Sequence, residues 1–167
     1  LYDDALEVGG KIQLLGLLHE YDGLLLGNST RLEHVLATLL AMLVRGSATN
    51  YVFKGEVLIT TTAIMIQYEF LTTQPKSLAR FIDSLLKIVQ ATNGSDAIYR
   101  RTACQCLHEL EVSFPGLLAR KLGHLVKLTT DETSFASEAY AVLLATALRN
   151  AVLAIVHRDE GKTGAQG

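Results

Sequence analysis

Cys104 and Cys106 are the residues of this chain best suited to chemistry, since two thiols so close together suggest a metal clamp or a redox pair. They stand two positions apart in a stretch that reads as helix, where each residue turns by about 100°. Their side chains therefore diverge by about 160°. That is too wide to grip one ion, and the directions are wrong for a disulfide. Both are expected to be packing thiols, as suits a reducing cytosol. The five histidines, His19, His34, His108, His124 and His157, show no HxxxH or HExxH spacing that would bring two onto one helical face. Gly161-Lys162-Thr163 lacks the earlier glycine of a phosphate-binding loop, and no serine stands in a G-x-S-x-G turn. The expectation is a non-enzymatic protein with no catalytic residues, no metal and no cofactor.

Three further features are open to a functional reading. Asn28-Ser29-Thr30 and Asn93-Gly94-Ser95 have the form of glycan acceptors, but both also explain themselves as helix punctuation. Arg120, His124 and Lys127 make a weakly basic face that an acidic lipid or protein partner could meet, although a solvated face is the simpler explanation. A net charge of −2 gives no electrostatic footprint for nucleic acid.

The elements that position these residues are clearest from Tyr99 to Leu128, YRRTACQCLHELEVSFPGLLARKLGHLVKL. Ala103, Cys106, Leu107, Leu110 and Phe114 fall in one apolar stripe, while Arg100, Arg101, Gln105, His108 and Glu109 take the other side. Pro115 lacks an N–H and biases Phe114 away from the α region. The first helix is therefore expected to end near Ser113, with Pro115 opening the second as its first-turn proline. The second helix should bury Leu118, Leu122, Leu125 and Val126 and turn Arg120, His124 and Lys127 outward.

Elsewhere the same signals recur. A helix is expected over Lys11–Tyr21, and a second over Leu32–Val44, opened by the Thr30/Glu33 capping box and ended by Gly46. Lys54 to Leu71 is nearly all apolar with several β-branched residues, so strand and buried helix both fit; its length favours helix. After Pro75, Leu78, Phe81, Ile82, Leu85 and Val89 mark a helix over Ser77–Ala91. The last helix is expected from about Phe135 to His157. It is apolar over much of its circumference, and so should be buried or covered by another helix, with Arg149 and Asn150 marking a polar strip that stays uncovered. Arg149-Asn150 argues against a membrane span there, because a mid-helix Arg costs about 2.5–3.5 kcal/mol on insertion scales.

With 167 residues, 49% of them hydrophobic and 19% charged, and with only two prolines, the chain favours long helices around a contiguous core. Helix-pair starts near Lys11, Lys54, Asp96 and Ser134 recur roughly every 40 residues, the HEAT or armadillo period. The fold class expected is all-α, an α-solenoid of HEAT/armadillo-like antiparallel helix pairs with about seven helices. Residues 1–158 would form the helical-repeat trunk and 159–167 a flexible tail or the start of a linker. Beginning with Leu1 and lacking a basic region before an apolar core, the chain reads as an excerpt of a longer one.

The run RRTACQCLHELEVSFPGLLARKLGHLVKL, followed by AYAVLLATALRNAVL, resembles the amino-terminal trunk of the beta-1 subunits of the fifth adaptor protein complex. TACQCLHELE, the PGLL before a short helix and ALRN in the last helix carry it, and KIQLLGLLHEY is similar to an earlier helix of those subunits. Residues from Leu24 to Thr92 depart more in wording. The resemblance implies a scaffold subunit in a heterotetramer with zeta, mu and sigma subunits, peripheral on late endosome and lysosome membranes. It further implies vesicle-mediated sorting and retrieval toward the Golgi, with spatacsin and spastizin as companions. Physical reasoning alone leaves another cytosolic α-solenoid scaffold, unrelated to vesicle coats, as the alternative.

Overall fold

The structure, a computed structural model, describes residues 34–38, 41, 51–91, 97–129 and 138–163. Among the described residues there are helices and turns and no strand. The helix expected at Lys11–Tyr21, both Asn-linked sequons and most of Leu32–Val44 lie outside them, though 34–38 is helical with Leu36 buried. The chain divides into two compact units, Leu1–Leu78 and Ala79–Gly167.

In the first unit, α1 spans Tyr51–Gln67 and α2 spans Phe70–Thr73. The ambiguity between strand and helix resolves to helix. Val57, Leu58, Thr61, Thr62, Ile64 and Met65 are all buried, covering more than one side of α1. The two threonines are tolerated there because each hydroxyl donates back to the carbonyl four residues earlier, Thr61 to Val57 at 2.7 Å and Thr62 to Leu58 at 2.8 Å. Glu69 breaks the run with a left-handed φ of 49°. Fully buried Phe70 then anchors the short α2. Pro75 opens α3, Pro75–Gln90, at the first helical position, where a missing N–H costs nothing.

In the second unit α3 continues to Gln90 and is followed by α4, Ala97–Ser113, a 3-10 turn at Ala119–Lys121, α5, Leu122–Thr129, and α6, Glu138–Thr163. The α3 stripe of Phe81, Ile82, Leu85 and Val89 is buried as its spacing predicts, as are Ala103, Cys106, Leu107 and Leu110 on α4. Burying each such large side chain is worth about 1.5–3 kcal/mol. Side-chain pairs fix the helix directions. Arg100 reaches the Ala91 carbonyl at 3.4 Å, so α4 starts beside the end of α3. Asp83 pairs with Lys121, and Gln90 with His124, so α3 and α5 run the same way. Glu111 meets Asn150, while Arg101 and Gln105 share a cleft with Glu138 and Ala139, so α4 and α6 also run together. Every second helix is therefore parallel, as in the layering of a helical-repeat stack. This unit is all-α and solenoid-like.

Three local expectations need correction. Pro115 does not begin a helix. Residues 114–118 form a turn, with Gly116 at φ 86°, and the α-helix starts only at Leu122. The cause is Glu111, whose carboxylate captures N–H groups of that turn. The delay rotates the second helix, so Leu118 and Leu125 are buried, but Leu122 is half-buried and Val126 is exposed. The last helix runs Glu138–Thr163, past His157.

Candidate functional site

The turn after α4 is built on one buried carboxylate. Glu111 has no exposed surface, yet both oxygens are satisfied. Oε1 accepts the Gly116 N–H at 2.8 Å and the Asn150 side-chain amide at 2.9 Å, and Oε2 accepts the Leu118 N–H at 2.8 Å. The same Asn150 amide lies 3.2 Å from the Glu111 carbonyl oxygen. One side chain thus ties the end of α4, the turn and the middle of α6 together. Glycine at 116 is required because the turn needs a positive φ. Sequence reasoning puts Asn150 with Arg149 on a polar strip left uncovered, whereas it is half-buried and bonded. A glutamate four residues before Pro-Gly is the signal that the sequence offers for this arrangement.

That turn carries the basic residues singled out from the sequence. Arg120 lies in the 3-10 turn, and His124 and Lys127 lie on α5; all three are exposed. Their spacing keeps them on one side. The face is less basic than its composition suggests. A His124 ring nitrogen is hydrogen-bonded to the Gln90 amide, and the adjacent Lys121 is paired with Asp83 at 2.9 Å. That exposed pair adds only about 0–1 kcal/mol. No group of metal-binding side chains forms here or elsewhere among the described residues.

Cys104 and Cys106 form no disulfide and both are buried, on diverging sides of α4. Burial pushes the Cys104 thiol up to about 12, with Arg100 pulling weakly the other way and Cys106 adding to the rise. It is a poor nucleophile. Tyr140 is likewise pushed up to about 12 by burial and by Cys104, and its hydroxyl donates to the Leu125 carbonyl. This bond fixes the start of α6 against α5.

α6 faces two environments. Tyr140, Leu143 and Ala147 are buried on its packed side, while Val142, Leu148, Val152, Leu153, Ile155 and Val156 are each 42–59% exposed. Among the described residues, Glu138–Arg158 is the stretch long and apolar enough to cross a membrane, but only 17% of it is buried, so it is no ordinary core helix. Beside its start, a cleft of about 300 Å³ is lined by Arg101, Gln105 and His108 of α4 and by Glu138, Ala139 and Val142 of α6. The cleft brings two basic side chains, one amide and one carboxylate around an apolar patch of Ala139 and Val142.

The chain is 25% identical to the AP-5 complex subunit beta-1 of Xenopus tropicalis over 172 residues, an alignment that covers 99% of this chain and 20% of that relative. The relation is distant, and at 99% of the chain the alignment takes in residues 24–92 as well. No protein-family profile matches the chain, and no solved structure matches it.

Proposed function

We propose that this chain is a segment of a non-enzymatic scaffold subunit of an adaptor complex, peripheral to membranes on their cytoplasmic side. The observation that carries the reading is an alignment with an adaptor beta subunit over 99% of the chain, for a sequence that folds as helices and turns throughout its described residues. Stacked helix pairs expose long ridged faces and suit a subunit that holds other subunits. The finer reading is a heterotetramer with zeta, mu and sigma subunits, working with spatacsin and spastizin in sorting from late endosomes and lysosomes and retrieval toward the Golgi. Arg120, His124 and Lys127 would serve it as a weak contact for an acidic partner.

Localisation tests the pathway. The tagged full-length protein should mark late endosomes and lysosomes as a peripheral, salt-extractable component, and its depletion should strand Golgi-retrieved cargo there. A protein spread evenly through the cytosol, with cargo unaffected by depletion, would contradict the proposal.

A further inference from the structure

The second half of α6 stands outside the packing that holds its first half. Tyr140, Leu143 and Ala147 are buried, and Asn150 is bonded to Glu111 near the end of α4. The two helices run the same way, so α6 beyond Asn150 continues past the end of α4 at Ser113. From Val152 to Arg158 every residue is exposed. Each residue turns the helix by about 100°, so this stretch is open on all its sides among the described residues. Val152, Leu153, Ala154, Ile155 and Val156 are all apolar and together pass through more than a full turn, with Leu153 and Ile155 pointing about 160° apart. A helix that is apolar all round belongs in an interior.

Length and composition say which interior. The open apolar stretch is about 10 Å long, well short of the ~30 Å hydrocarbon layer of a bilayer. A helix lying on a membrane surface needs a polar face, and Val152–Val156 has none. A single docked helix, from a partner or from a second copy, covers one side and leaves the opposite one in water. Surfaces that dock separate proteins are enriched in aromatic residues, Met and Arg, whereas the exposed large side chains here are Val, Leu and Ile, the make-up of a core cut open. The alignment covers 20% of the Xenopus relative, so a chain of that length has ample further sequence to supply the cover. We infer that the end of α6 is enclosed by a helix pair from another part of the same polypeptide, one helix against Leu153 and the other against Ile155. This rests on the reading of the chain as a segment of a longer scaffold, and not on that scaffold's place in an adaptor complex.

The test places a photo-crosslinking residue at Leu153 or, separately, at Ile155 of the full-length protein, and locates the product by mass spectrometry. A mixture of isotope-labelled and unlabelled protein separates links within one chain from links between copies. Each position should link within one chain to sequence outside these 167 residues, and the two positions should reach different helices. Links to another protein, to a second copy, to lipid or back to these residues alone would overturn the inference, as would a link from one position only. Hydrogen exchange on the unsubstituted full-length protein gives a second measurement that no substitution can disturb. The amides of 151–158 should be protected about as well as those of α4, and exchange as fast as that of an open helix end would overturn the inference as well. The proteins that co-purify decide the adaptor reading separately, so either reading can fail alone.

Discussion

Glu111→Ala should be the most damaging single polar substitution in the second unit. The carboxylate holds three donors: the Gly116 and Leu118 N–H groups and the Asn150 amide. Leu118 is fully buried, so its N–H would be stranded without water, at about 1–3 kcal/mol. Gly116 and Asn150 are half-buried and can recover part of their loss from solvent, at about 1 kcal/mol each. The small void left by the side chain adds to this, for a total of about 3–5 kcal/mol. Glu111→Gln keeps the shape and one oxygen but turns an NH2 toward a donor, so it should lose about half as much. Urea unfolding followed by helical circular dichroism measures both. With a slope of about 2 kcal/mol per molar, the alanine variant should unfold about 2 M earlier than wild type. Glu109→Ala, two residues away and exposed, should shift stability by no more than about 0.5 kcal/mol. If Glu111→Ala stayed within about 1 kcal/mol of wild type, or about half a molar, the turn would not depend on its carboxylate and the explanation given for the late start of α5 would be wrong.

Two other outcomes follow from the same unit. Tyr140 and Cys104 are both neutral when buried, and their folded values of about 12 lie above the ordinary 10.0 and 9.0, so their contribution to stability is intact below pH 9 and is lost as pH rises toward 12. An alkaline melt series should therefore fall across that window and fall less for Tyr140→Phe, which removes the titrating hydroxyl; a flat profile to pH 12 would contradict the burial of both groups. Cys104 and Cys106 should resist a thiol reagent at neutral pH until the chain unfolds, and should bind no zinc. Stoichiometric zinc that survives dialysis and disappears in the double Ser variant would reverse that reading.

Periodicity governs how much of this fold is legible in the sequence, and contacts distant in sequence account for the rest. The stripe of α3, the core row of α4 and the end of that helix at Ser113 all follow from spacing and one proline. The helical choice at Lys54–Leu71 rests on length, and the structure supplies the physical reason in the back-bonding of Thr61 and Thr62. Pro115 departs from expectation because a local proline rule cannot see that Glu111 holds the following N–H groups out of a helix. Asn150 departs for the same reason, since its partner lies 39 residues earlier. Arg120, His124 and Lys127 are exposed as their pattern predicts, but the links from Gln90 and Asp83 that temper their surroundings cross from α3 and leave no mark on the local sequence.

The scaffold reading is tested most directly by affinity purification of the tagged full-length protein from cells under gentle, low-detergent conditions, with quantitative mass spectrometry of what it retains. The account predicts recovery of zeta, mu and sigma adaptor subunits at near-equal amounts, with spatacsin and spastizin at lower levels. Recovery of the protein alone, or with a stable set of partners that contains no adaptor subunit, would contradict it.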